Sequence, residues 1–371
     1  MISGKRQRVG KKFNKDLCKI VGIRVASTIA GIRSYFSSRK MGTDPRTGLK
    51  KRCFAKVSNN ILQYILSWGL ALGCFAYLFW KIDLKSFWQT LIQASPHWLL
   101  GVALLNILVL LLKAERWRLF VRPLSSLSFG ETLCLTILGF FGNSILPARA
   151  GDVGRGLYLA KRGVPWAAGV STVASDKLID AIGLMSFVIP LIPSLPRFLR
   201  DGALLLLFMV SGIFVFILFF SRKFTQKDLV YARGRVSKAL MALSLGTHGF
   251  KDKIIFFKAY LLTLFSWFLQ IEMLILTAKA LGLSLGFATA LLTILGLNVA
   301  LVLPTPPAGI GIAHAAIVMV LTHFGYAKPE ALSIAVLYHG IQVMVLAVLG
   351  PVFWVLKSRL LAGFASANAA E

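Results

Sequence analysis

Between Arg149 and Asp180 an otherwise apolar chain carries charge of both signs. Arg149, Asp152 and Arg155 straddle a break punctuated by Pro147, Gly151, Gly154 and Gly156, with Asn143 just before it. Guanidinium forks beside exposed backbone N–H groups at a helix start suit a phosphate, and glycine allows close approach. The plainer reading is an ion-pair cluster that ties down an irregular loop. Asp176, Lys177 and Asp180 follow on one helix, where Asp176 and Asp180, four apart, share a face. Two like charges at membrane depth need a cation between them. An arginine from the broken stretch is the expected partner. A divalent metal is the alternative, for which two carboxylates alone are thin evidence.

A second break, residues 303–316, reads LPTPPAGIGIAHAA. Asn298 precedes it, His314 lies within it and His339 lies on the following apolar run. Either histidine could contact a phosphate, relay a proton or bond a neighbouring carbonyl. Asn143…Leu146-Pro147…Gly151 and Asn298…Leu303-Pro304…Gly309 echo one another. Paired broken helices in two halves of a membrane chain suggest an inverted repeat with a site between them. The alternative is that Pro and Gly are common in membrane helices.

The elements that must position these residues are membrane helices. The chain has 371 residues, 57% hydrophobic and 15% charged, with several apolar runs long enough for a hydrocarbon core of about 30 Å. Its formal charge of +28 sits in segments flanking those runs, which fits topology and anionic headgroups, and no aromatic-interleaved basic motif points to nucleic acid. The expected fold is an all-α polytopic membrane protein of about six full spans plus two re-entrant hairpins. Spans are expected at 61–80, 97–112, 166–190, 202–220, 254–277 and 329–356. The hairpins are expected at 129–161 and 286–324. Lys113, Glu115, Arg116, Arg118 and Arg122 read as cytoplasmic flanking charge, which puts both termini in the cytoplasm. Residues 221–253 read as a basic cytoplasmic loop.

Residues 1–57 are basic and nearly free of acids. They read as a cytoplasmic arm, with an organelle transit peptide and a true start at Met41 as alternatives. A transmembrane domain at 58–356 and a short tail at 357–371 complete the expected organisation. Cys18, Cys53, Cys74 and Cys134 form no CxxC pair, so neither a disulfide frame nor a zinc site is expected.

Taken as an ordered set, these motifs resemble the transmembrane region of lysylphosphatidylglycerol synthases, a flippase-like membrane family. The matching residues are Asn143…Leu146-Pro147-x-Arg149-x-Gly151-Asp152-x-x-Arg155, Asp176-Lys177-x-x-Asp180, Leu303-Pro304…Pro307-x-Gly309-x-Gly311, Phe324-Gly325 and Gly350-Pro351. Asp152 stands where the family usually has Glu, Asp176-Lys177 where it has Glu-Arg, and His314 where it often has Glu. The resemblance implies a stand-alone module without an aminoacyl-transferase or glycosyltransferase domain, one that moves lipid in the inner membrane. The expected substrate is an anionic phospholipid or a polyprenyl-phosphate lipid, held by the residues named above. No cofactor or catalytic set is expected, since no P-loop or HExxH occurs. An embedded enzyme acting on lipid phosphates, an accessory subunit of envelope synthesis, and a homo-oligomer are the competing expectations.

Overall fold

A computed structural model describes residues 69–70, 72–80, 82–146, 149–195, 197–223, 241–302 and 306–360, all within the unit Leu62–Glu371. The basic arm, residues 61–68 and 71 of the first expected span, Pro147 and Leu303-Pro304 lie outside the described residues.

The described residues are helical throughout, with no strands. An amphipathic helix α1 (Leu84–Ile92) leads into α2 (Pro96–Val121). Asp83 caps α1 by accepting from the Lys85 and Ser86 amides, and Pro96 opens α2 where its missing N–H costs nothing. Then come α3 (Phe129–Ile145), α4 (Ala150–Tyr158), α5 (Trp166–Val188) and α6 (Arg197–Lys223). The second half holds α7 (Lys253–Ala280), α8 (Phe287–Ala300), α9 (Ile312–His323) and α10 (Lys328–Leu360). Five stretches are long and apolar enough to cross a bilayer: Pro96–Val121, Trp166–Ser194, Arg200–Phe219, Lys253–Ala280 and Lys328–Lys357. The shorter apolar helices are Phe129–Ile145, Phe287–Ala300 and Pro307–His323.

The antiparallel pair α2 and α7 forms the spine. The Ser95 amide donates to the Ala280 carbonyl at 2.8 Å at one end, and Arg116 Nη1 donates to Thr263 Oγ1 at 3.2 Å toward the other. Helix α3 follows α2 after a seven-residue connection (122–128), and α8 follows α7 after a six-residue one (281–286). The two short helices therefore start at opposite ends of the spine. Their far ends meet, where Arg149 Nη2 donates to the Leu301 carbonyl at 2.8 Å.

Ser128 and Glu131 close the start of α3 with a reciprocal capping box. Its end follows from Pro147, because the residue before a proline is pushed out of the helical region. Leu146 accordingly sits at φ −98°, ψ 142°. Glycines then let the next turns approach backbone to backbone. A Cβ on Gly151 would stand 1.9 Å from the Gly139 carbonyl oxygen, and one on Gly169 would stand 2.2 Å from that of Gly156. Without a hydrophobic drive between helices in lipid, such small-residue contacts are a main source of association. Gly151 and Gly156 thus serve helix packing, in place of the ligand approach expected of them.

Two expected boundaries move. Helix α2 runs on to Val121, well past Leu112, and Arg116 is 1% exposed. The charges after Leu112 are therefore not all flanking charge. In the expected polar loop at 221–253, the stretch 241–250 turns back onto the protein. Ala242, Leu245 and Phe250 are buried, and Ser171 Oγ and Ser175 Oγ donate to the carbonyls of Leu243 (2.7 Å) and Gly246 (3.2 Å).

Candidate functional site

The meeting point of the two short helix pairs opens into a cavity of about 500 Å³. Its charged lining comes from α2 (Lys113), the first break (Arg149, Asp152) and α5 (Lys177, Asp180). Val109, Leu110, Leu184 and Met185 form an apolar side, extended by Leu206 and Val210 of α6. Helix α6 is the most exposed wall, with its side chains largely uncovered by the rest of the protein.

Behind the charged wall runs an ion-pair chain. Arg116 spans the i, i+4 carboxylates of α5: Nε donates to Asp176 Oδ1 at 2.7 Å and Nη1 to Asp180 Oδ1 at 2.6 Å. Arg155 Nη2 donates to Asp176 Oδ2 at 2.8 Å and lies 3.3 Å from Asp152 Oδ1. Lys177 Nζ stands 3.2 Å from Asp152 Oδ2, and Lys113 Nζ stands 3.9 Å from Asp180 Oδ2. Bridging two carboxylates with one guanidinium is how like charges on one face become tolerable away from water. Two indoles hold the frame. Trp267 Nε1 donates to the Asp180 carbonyl at 2.8 Å, and Trp117 Nε1 donates to Thr172 Oγ1 at 3.1 Å. The Arg155 guanidinium lies 4.9 Å from the centre of the Trp117 ring, a cation–π contact in a desolvated place.

Within this chain four cations, Lys113, Arg116, Arg155 and Lys177, face three carboxylates, Asp152, Asp176 and Asp180. One positive charge is left over, and exposed Arg149 at the cavity adds a second. A cavity with surplus positive charge and low-dielectric walls concentrates anions.

The expected site residues fall into three groups. Arg149, Asp152, Lys177 and Asp180 line the cavity together with Asn143, Asn298 and His339. Arg155 and Asp176 sit behind its wall, 3% and 1% exposed. His314 also lies off the cavity, its ring 5.0 Å from that of His339 and its Nδ1 accepting from the Gly311 amide at 3.4 Å. The arginine expected between Asp176 and Asp180 is two arginines: Arg155 from the break reaches Asp176, and Arg116 from α2 reaches both.

Lys113 and Arg116, expected as flanking charge, instead face the carboxylates of α5.

Both breaks carry an unusual backbone. Among the described residues, Arg149 (φ 50°) and Ala308 (φ 57°) are the non-glycine residues with positive φ, one in each break. Such conformations cost of order 1–3 kcal/mol, persist only where the surroundings impose them, and cluster at functional sites. Asn143 Oδ1 helps impose the first by accepting from the Asp152 amide at 3.1 Å.

The sequence is similar to known membrane proteins. The chain is 23% identical over 230 residues to the UPF0104 membrane protein MJ1078 of Methanocaldococcus jannaschii, covering 59% of this chain and 95% of the relative. It is 27% identical over 138 residues to the UPF0104 membrane protein MJ1595 of the same organism, covering 36% of this chain and 40% of that relative's length. The family model described as the lysylphosphatidylglycerol synthase TM region matches residues 61–350. Those residues take in the spine, both breaks and the whole ion-pair chain, so the protein is a multi-pass membrane protein of the lysylphosphatidylglycerol synthase TM region family.

Proposed function

We propose that this protein binds the anionic headgroup of a phospholipid or polyprenyl-phosphate lipid in the central cavity and carries it across the inner membrane. The observation that carries this reading is the cavity itself: surplus cations on one wall, apolar side chains on the other, and a sparsely packed helix beside it. Lys113, Lys177 and Arg149 receive the phosphate, each a cation whose exchange from carboxylate or carbonyl to ligand needs only a small movement. Arg155 and Arg116 hold the carboxylates in place and stay out of contact with the lipid. The acyl or prenyl chains leave past Leu206 and Val210 of α6 into the bilayer.

In this reading α3–α4 and α8–α9 are re-entrant hairpins that dip from opposite leaflets, related as an inverted repeat, and both termini face the cytoplasm. Irregular backbone at that depth is tolerated because it faces a polar cavity. The test is headgroup flipping of a fluorescent anionic lipid in liposomes. Arg149→Ala and the pair Lys113→Gln, Lys177→Gln should each slow flipping at least about tenfold, the loss expected for one charge-assisted contact of roughly 1.5–3 kcal/mol. Undiminished flipping in both variants sinks the proposal.

A further inference from the structure

The cavity has a second kind of polar lining that the anion-binding reading leaves unused. Besides Asn143, whose oxygen accepts from the Asp152 amide, four carboxamides line it from four helices: Asn106 on α2, Gln270 on α7, Asn298 on α8 and Gln342 on α10. Three of them share one arrangement. Gln270 Nε2 donates to the Ser266 carbonyl at 3.2 Å, Asn298 Nδ2 to the Ile294 carbonyl at 2.8 Å, and Gln342 Nε2 to the Tyr338 carbonyl at 3.2 Å. In each case the amide N–H satisfies a carbonyl four residues back on its own helix. A backbone carbonyl only accepts, so this contact fixes which end of each amide is which and leaves its oxygen available. All three side chains are half-buried beside the cavity. Asn106 supplies the reverse. It is 7% exposed, and its buried Nδ2 has no hydrogen-bond partner.

A buried polar group without a partner costs about 1–3 kcal/mol, so Asn106 Nδ2 awaits an acceptor, while the three half-buried amide oxygens beside it can take donors. An ammonium group brings donors only, cannot serve Asn106 Nδ2, and meets the surplus positive charge of Lys113, Lys177 and Arg149. A hydroxyl donates and accepts and bears no charge. We infer that the cavity holds a headgroup with a hydroxyl-rich neutral part, a polyol or sugar, attached to its phosphate, and that Asn106, Gln270, Asn298 and Gln342 form the subsite for those hydroxyls. This rests on the anionic-headgroup reading and adds the chemistry of the group beyond the phosphate.

The test uses the purified full chain and measures affinity for phosphatidylinositol, phosphatidate, phosphatidylethanolamine and soluble inositol phosphate. Phosphatidylinositol should bind about tenfold more tightly than phosphatidate and more tightly still than phosphatidylethanolamine, since two neutral hydrogen bonds of about 1 kcal/mol each suffice for that margin. Asn106→Leu and Gln342→Leu should each remove most of the margin while phosphatidate affinity stays unchanged, a comparison that a misfolded variant would fail on both lipids. Competition by soluble inositol phosphate would assign the same subsite to a free phosphate ester, and its absence would assign it to lipid. Equal binding of phosphatidylinositol and phosphatidate by the unaltered protein, or tighter binding of phosphatidylethanolamine, overturns the hydroxyl subsite and leaves phosphate binding standing. No binding of any anionic lipid overturns the underlying anion reading as well.

Discussion

Replacing Arg116 by Met keeps most of the side-chain volume and removes the charge. The guanidinium is 1% exposed and holds three partners: Asp176 at 2.7 Å, Asp180 at 2.6 Å and Thr263 Oγ1 at 3.2 Å. Asp176 would keep Arg155 at 2.8 Å, but Asp180 would be left with Lys113 at 3.9 Å. Removing one partner of a buried pair strands a carboxylate in a poorly solvated place and costs about 3–5 kcal/mol. At roughly 2.1 cal/mol/K of unfolding entropy per residue, a chain of this length shifts by little more than about 1 °C per kcal/mol, so the unfolding midpoint should fall by roughly 4–6 °C. Intrinsic fluorescence of the protein in lipid nanodiscs, followed through a thermal ramp, reads this directly. Adding Asp180→Asn should recover part of the loss, because the stranded charge is then gone, with a coupling of about 1–3 kcal/mol across the double-mutant cycle. A functional consequence accompanies the structural one: an unpaired Asp180 draws Lys113 away from the cavity, so anionic lipid binding should weaken together with stability. A midpoint within about 1 °C of the unaltered protein, or strictly additive losses in the double variant, would show that the ion-pair chain does not organise α2 and α5 as described.

Gly151→Ala should prevent stable folding, because the new methyl would lie 1.9 Å from the Gly139 carbonyl oxygen, whereas Gly154→Ala meets nothing within 4 Å and should gain up to about 1 kcal/mol of helix propensity; expression and thermal stability of the two variants separate the cases. Arg149→Gly should relieve the positive-φ strain and leave stability equal or slightly higher while lowering anionic lipid binding, and a parallel fall in stability would contradict the division of roles given to that residue. Cysteines placed at Ser125 and Ser284 should react with an impermeant thiol reagent from opposite sides of sealed vesicles, since the two connections lie at opposite ends of the spine; labelling of both from one side would refute the opposed arrangement of α3 and α8.

The helices themselves were legible from the chain alone, because a run of about twenty apolar residues is a local property and needs no partner to declare itself. The same holds for the breaks. Pro147 acts on Leu146 directly, and the paired Asn…Leu-Pro…Gly clusters announced two interrupted helices without any knowledge of where they lie. The charged residues were a different matter. Lys113 and Arg116 look like any cations at the end of an apolar run, and their meaning depends on Asp176 and Asp180, sixty or more positions away. Whether Arg116 turns toward water or toward those carboxylates is decided by the rotation of α2 against α5 and α7, where Trp117 meets Thr172 and Arg116 itself meets Thr263. The close approach of Gly156 to Gly169 likewise sets α4 against α5, with Arg155 in the wall and Arg149 on the cavity, although both arginines flank the same glycines. Residue type and spacing thus determined that charge would stand at membrane depth and that two helices would break there. Only the packing of distant helices decided which cations neutralise carboxylates and which remain for a ligand, because that choice rests on distances between segments that chain order does not encode.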